Sequence, residues 1–310
     1  MGLIKKPNEL TVKTTLSALI YGQPGMGKTT LALSAPHPLL LDFDGGVHRV
    51  NAAHRVDTVQ ISKWEEVDEV LQSPEITDYA TFVIDTASKM LSFMDKYIME
   101  KYNAKKKDGT LSQPGYGIRK NMFINFVNQV SLMGKSVIFV AHEREEKNGD
   151  EKQIRPEIGA SSTGDLIKEL DLVGYMEAIG KKRTISFNPC EKFYGKNTCN
   201  LPERMEIPII INERGELTGE NNFMTNIIKS YSAYQSKQTE LSNEYESLME
   251  VIKENVEMIT DAASANEAVK AMQNLNHIFD SALQAKDLIS RKCKELGLKF
   301  DKIKKEYAAA

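Results

Sequence analysis

Long hydrophobic runs are missing from this chain of 310 residues; none approaches the roughly eighteen apolar residues that a membrane-crossing helix needs, so no such helix is expected. The opening Met1–Leu10 carries Lys5, Lys6 and Pro7 with no hydrophobic stretch behind them, so neither a secretory leader nor a membrane partner is expected, and the expected compartment is the cytoplasm. Cysteine is scarce. Cys190, Cys199 and Cys293 are an odd number spread widely, which argues for free thiols over a disulfide framework, and no second pair or nearby histidine completes a zinc site. Positive charge is not in excess either: 40 Lys and Arg stand against 43 Asp and Glu, a net charge of −3, so any contact with nucleic acid must be local. Over the last eighty residues, from Tyr231, proline is absent and glycine is reduced to Gly297, which leaves a helical appendage as the expected ending.

What is present is enough apolar sequence for a core: 41% of residues are AVILMFWYC, with 19 glycines besides. From Thr15 to about Pro208, short apolar runs alternate with longer helix-period stretches, the pattern of an α/β domain with a central, mostly parallel sheet flanked by helices. The runs Leu16–Tyr21, Leu39–Leu41, Thr81–Ile84 and Ser136–Ala141 lack strict alternation and are expected as strands buried on both faces. Trp64–Leu71, Ser88–Lys101 and Asn121–Met133 are expected as helices. Two polar stretches, Tyr102–Arg119 and Glu143–Thr163, are expected as long functional loops. A hairpin is expected at Gly174–Ile179 and Arg183–Asn188, and a strand at Glu206–Ile211. The boundary between core and appendage is expected near residue 230, giving units of 1–230 and 231–310. In the appendage Leu241, Tyr245, Leu248, Ile252, Val256 and Ile259 recur three or four apart, and Val269, Met272, Leu275, Phe279 and Leu283 form a second stripe. The spacing predicts two long helices packed as a hairpin, the second opened by a Ser264–Glu267 capping box and stopped by Gly297.

The chemistry concentrates in Gly22-Gln23-Pro24-Gly25-Met26-Gly27-Lys28-Thr29-Thr30, which satisfies G-x-x-x-x-G-K-[ST] directly after an apolar strand and before the helical stretch Leu31–Ser34. Glycines let backbone amides curl around phosphate oxygens, Lys28 reaches the β- and γ-phosphates, and the Thr29 hydroxyl ligates Mg²⁺. The implied ligands are ATP and Mg²⁺. A second carboxylate for the metal is supplied by Thr81-Phe82-Val83-Ile84-Asp85, an apolar strand ending in Asp85. The second strand ends in Asp42-Phe43-Asp44-Gly45-Gly46, whose two carboxylates either face the γ-phosphate or build the turn.

The motif order, followed by the strand end Phe139-Val140-Ala141-His142, resembles the RecA-like P-loop NTPase core. The segments Leu41–Gly46, Arg155–Gly164 and Lys192–Asn197 resemble more specifically the phage and prophage RecA-like ATPases of the Sak type, associated with single-strand annealing recombination. This resemblance covers roughly residues 12–205 and not the C-terminal helices. It implies a DNA-dependent ATPase in a bacterial host, acting on single-stranded DNA as a homo-oligomeric ring or filament, with a single-strand-binding or annealing protein as partner. It places Asp44 where RecA-like enzymes keep the glutamate that activates water, and His142 at the sensor position between γ-phosphate and DNA. It assigns the two polar stretches to DNA-binding loops, with Lys105, Lys106, Lys107, Tyr116 and Arg119 on the first and Arg144, Lys147 and Arg155 on the second. Lys196 falls where a lysine reaches the ATP of a neighbouring subunit. A nucleotide-gated adaptor with weak ATPase, recruiting a helicase or single-strand-binding protein through its C-terminal helices, is the alternative. The shorter Asp44 in place of a glutamate favours it.

Overall fold

The computed structural model describes residues 4–5, 9–10, 12–148, 151–159, 163–180 and 182–309. Gly149, Lys181, Lys6 and Pro7 lie outside the described residues. The chain divides into one unit of residues 13–234 and a second of residues 1–12 with 235–310.

The first unit opens with β1 (Ser17–Gly22), α1 (Lys28–Ala32), β2 (Pro38–Asp42), β3 (Thr58–Gln60) and α2 (Glu65–Gln72). It continues through β4 (Thr81–Asp85), α3 (Ala87–Lys101), α4 (Gln113–Leu132), β5 (Ser136–Asn148) and β6 (Glu151–Pro156). Then come α5 (Thr163–Lys168), β7 (Leu172–Ile179), β8 (Lys182–Ser186), β9 (Lys196–Asn197) and β10 (Met205–Ile207). The sheet runs β10-β8-β7-β1-β5-β4-β2-β3 and is parallel from β7 to β3; β8 and β10 add antiparallel strands at one edge. Parallel strands are buried on both faces because their crossovers cover them. Leu19, Tyr21, Phe82, Ile84 and Phe139 accordingly face α2, α3 and α4. Their sequence neighbours Ala18, Ile20, Val83, Ile138 and Val140 pack in a second layer with Leu31, Met224 and Ile227. β5 lies between β1 and β4, the RecA-like arrangement. Through it Gly22 pairs with His142 and Asp85 with Val140, while β4 in turn pairs Asp85 with Asp42 of β2, so these strand ends share one edge of the sheet.

Both polar stretches expected as long loops are ordered differently. The first is a tight turn closed by the Lys105–Leu111 bridge and the bond from the Lys106 amide to the Thr110 carbonyl. Helix α4 then begins at Gln113, with Pro114 in its first turn, where a missing N–H costs no intrahelical hydrogen bond. Tyr116 and Arg119 are therefore helical. The second stretch is the hairpin β5–β6, with Arg144 opposite Arg155 and Lys147 opposite Lys152.

Helix α6 (Phe223–Glu257) begins in the first unit, and the second unit contains its later turns followed by α7 (Ala262–Gln273), α8 (Ser281–Glu295), β11 (Leu298–Asp301) and β12 (Glu306–Ala309). The expected two-helix hairpin is thus three helices and a β-hairpin, because the second apolar stripe breaks between Asn274 and Asp280. There the imidazole of His277 spans the Met272 carbonyl and the Ser281 hydroxyl. The capping box also sits three residues earlier than expected: Asp261 accepts from the Ser264 amide, and Ser264 answers at the Asp261 amide. Gly297, at φ 70°, follows α8. The stripe Ile252, Val256 and Ile259 packs with Ala265, Met272, Ala285 and Ile289.

Candidate functional site

The loop between β1 and α1 turns on glycines. Gly25 and Gly27 take φ of 78° and 82°, the left-handed region that a side chain disfavours. A Cβ on Gly22 would stand 2.7 Å from the Met176 carbonyl oxygen, so close packing of β1 on β7 excludes alanine there. Helix α1 is five residues long, so the phosphate cradle rests on loop amides more than on a helix dipole. Gln23 and Pro24 are exposed at the tip, and the Met26 side chain packs into the core.

Lys28 is buried, and its Nζ donates to the carbonyls of Gly22 at 2.9 Å and Gln23 at 2.7 Å. Burial draws its pKa below the ordinary lysine value, against the opposing pull of Asp85 and Glu143. Thr29 Oγ1 donates to Asp85 Oδ2 at 2.7 Å, which brings both expected metal ligands together. Burial raises the Asp85 pKa; the Thr29 hydrogen bond and Lys28 counter it, while Asp42 and Asp44 add repulsion. Cationic charge beside a buried carboxylate would relieve that cost, so the pair fits a divalent ion.

Asp42 and Asp44 divide the two roles left open by the sequence. Asp42 is buried and accepts from the amides of Asp44, Gly46 and Val47 at 3.0 to 3.2 Å, so it builds the turn. Asp44 lines a cleft of about 260 Å³ together with Lys28, Thr29, Thr30, Asp85 and His142. Its carboxylate has Arg49 at 3.5 Å and Lys89 at 3.9 Å. His142 lines the same cleft, and its buried Nδ1 lacks a hydrogen-bond partner among the described residues.

Other expected site residues are placed elsewhere. Lys196 pairs with Val173 at the start of β7, and its Nζ donates to the carbonyls of Lys168, at 2.8 Å, and Leu170, at the end of that strand opposite the cleft. There the ammonium is held by carbonyls of its own chain. Arg119 is buried, pairs with Asp95 at 3.0 Å and lies over the Tyr116 ring at 4.9 Å, while Tyr116 packs on the core. Neither presents itself to DNA, because the α4 face that carries them is the core face. Arg144 and Arg155 both pair with Glu146, at 3.5 and 2.5 Å, and Arg155 also lies over Tyr194. Lys147 and the turn lysines Lys105, Lys106 and Lys107 are exposed.

Sequence reading missed Arg183 on β8. Its Nη1 donates to the Met26 carbonyl at 3.1 Å and would lie 2.6 Å from a Cβ on Gly27. Arg183, Thr30, Leu31, Ile209 and Asn221 line a smaller cleft of about 100 Å³ beside the loop, and Asn221 Nδ2 donates to the Thr30 carbonyl at 3.0 Å. No local pattern announces an arginine 157 positions from its partner.

A glycine cradle, a buried lysine and a paired Thr–Asp at the edge of a sheet with β5 inserted between β1 and β4 define a RecA-like P-loop nucleotide-binding ATPase. The AAA domain family model matches residues 14–199, more than half of the chain, and the chain belongs to that family. A model of the mitochondrial ATP synthase B chain precursor matches residues 214–296, less than a third of the chain. No curated protein matches. Among solved structures, the chain is similar to the flagellar accessory protein FlaH from Methanocaldococcus jannaschii, at 8% identity and a TM-score of 0.38, covering 65% of this chain and 88% of that one. It is also similar to a KaiC-like protein from Pyrococcus horikoshii OT3, at 10% identity and a TM-score of 0.35, covering 55% and 77%. Among the described residues no helix is long and apolar enough to cross a membrane, and no group of three His, Cys, Asp or Glu side chains gathers to hold a metal.

Proposed function

We propose that the protein hydrolyses ATP with Mg²⁺ and couples the reaction to single-stranded DNA, as a phage recombination or annealing ATPase of the Sak type. The loop amides and Lys28 hold the phosphates, and Thr29 and Asp85 hold the ion, whose charge offsets that of the phosphate oxygens. Asp44 orients the attacking water from across the cleft, and His142 donates to the γ-phosphate end. The nucleoside extends toward the smaller cleft at Thr30, Arg183 and Asn221.

The observation that carries the coupling to DNA is the continuity of β5. One strand places His142 in the cleft and then runs on as the hairpin that bears Arg144 and Lys147. Since Glu146 engages both hairpin arginines, the exposed lysines left to meet DNA are Lys105, Lys106 and Lys107 on the turn and Lys147 on the hairpin. Replacing Lys105, Lys106 and Lys107 with alanine lowers the log–log salt slope of single-strand binding by about 2, at roughly 0.7 per phosphate contact. An unchanged slope returns that turn to solvent.

A nucleotide-gated adaptor with slow turnover is the second reading. The specific observation in its favour is that Arg49 and Lys89 already stand against the Asp44 carboxylate, at 3.5 and 3.9 Å, on the side chain that would have to orient water. In that reading the C-terminal helices recruit a helicase or a single-strand-binding protein.

A further inference from the structure

The second unit contains a groove of about 680 Å³, larger than either cleft at the phosphate loop. Its floor is aliphatic, built from Val269 and Met272 of α7 and Ala285 and Ile289 of α8, and Phe300 and Tyr307 of the β-hairpin close one side. These two rings pack edge to face, with centroids 5.0 Å apart. Three ammonium groups, on Lys286, Lys302 and Lys305, stand at the rim, and among the described residues no carboxylate lines the groove.

Three of the nearby acids are engaged elsewhere, while Glu306, between Lys305 and Tyr307, is exposed and does not line the groove. Asp287 pairs with Arg291 at 2.7 Å, and Asp301 accepts from the amides of Ile303 and Lys304. Asp280 accepts from Tyr245 and Gln284. His277 spends both ring nitrogens on Met272 and Ser281, so it is a wall and not a ligand. The result is an apolar trough under a rim of one sign, in a chain whose net charge is −3.

We propose that this groove docks a short acidic, hydrophobic segment of a partner protein. Apolar side chains of the segment fill the trough, and its carboxylates meet Lys286, Lys302 and Lys305. Charge complementarity fixes the sign of the partner and speeds encounter, while the buried apolar anchors supply the affinity. Nucleic acid suits the groove less well, because an aliphatic floor offers base edges almost no donors or acceptors, Gln273 being the one side-chain amide in the lining. The proposal is independent of the phosphate loop and holds whether or not the protein turns over ATP.

The test is selection of short random peptides displayed on their own mRNA against the full chain, followed by anisotropy measurements on the labelled winners. The expected winners combine Asp or Glu with Leu, Ile or Phe and weaken with added salt. They bind Lys28→Ala unchanged and lose at least about tenfold in affinity for Lys286→Glu/Lys302→Glu. Both reversed lysines are exposed, so the fold is retained, and a circular-dichroism spectrum identical to wild type verifies it. Winners without acidic enrichment, undiminished binding to the double variant, displacement by an oligothymidine strand, or no winners at all would each overturn the proposal.

Discussion

Thr29 and Asp85 come from positions 56 apart in the sequence, yet their side chains meet at 2.7 Å because β1 and β4 end at the same edge of the sheet. Asp42 and Asp44, two residues apart, part company just as sharply. The first turns inward to hold three backbone amides, and the second faces the cleft. Residue type and spacing announced the phosphate loop and Asp85, since both are read from contiguous motifs. The choice between Asp42 and Asp44 depended on where β2 stops. For Arg119 the same local reading led astray, since a basic residue in a polar stretch looks solvated until α4 turns it toward Asp95. Burial lifts the Asp95 pKa and the Arg119 guanidinium opposes the rise. Arg119→Ala strands that carboxylate beside the core and destabilises the protein by about 3 kcal/mol while leaving the salt slope of DNA binding unchanged. Denaturant unfolding and a salt titration check the two halves; a stable variant with a flattened slope would restore Arg119 to DNA contact.

At the scale of elements, the cap of α7 carries its own pH signature. Hydrogen bonds from the Ser264 backbone and side chain hold the Asp261 carboxyl below its ordinary range. A depressed folded pKa means the contribution is present above the unfolded pKa and is lost as pH falls through the folded one. Amide exchange in the first turn of α7 is therefore slower in wild type than in Asp261→Ala at neutral pH. The difference closes as the solution is acidified below the usual aspartate range, and a difference indifferent to pH would remove Asp261 from the cap. The core strands of β1, β2, β4 and β5 were legible because strands buried on both faces are short, wholly apolar runs. The hairpin β5–β6 was not, because its cross-strand pairs join charged residues whose alternation carries no hydrophobic period. The break between α7 and α8 was hidden for the opposite reason: Leu275 and Phe279 continue the helical spacing through a segment that is not helical.

The whole molecule carries slightly more negative than positive charge, so a general field would repel DNA, and the proposed contact relies on one lysine turn and on the hairpin that continues β5. Such a contact is salt-sensitive, and it links DNA to nucleotide only through β5 and His142. The most direct measurement is ATP turnover by wild type, Lys28→Ala and Asp44→Asn, each alone, with single-stranded DNA and with duplex DNA, at one fixed salt concentration. The account predicts turnover stimulated by single strands in wild type, loss of nucleotide binding in Lys28→Ala, and binding without turnover in Asp44→Asn. Normal hydrolysis by Lys28→Ala would contradict the assignment of the site itself, and wild-type turnover indifferent to single strands would contradict its coupling to DNA.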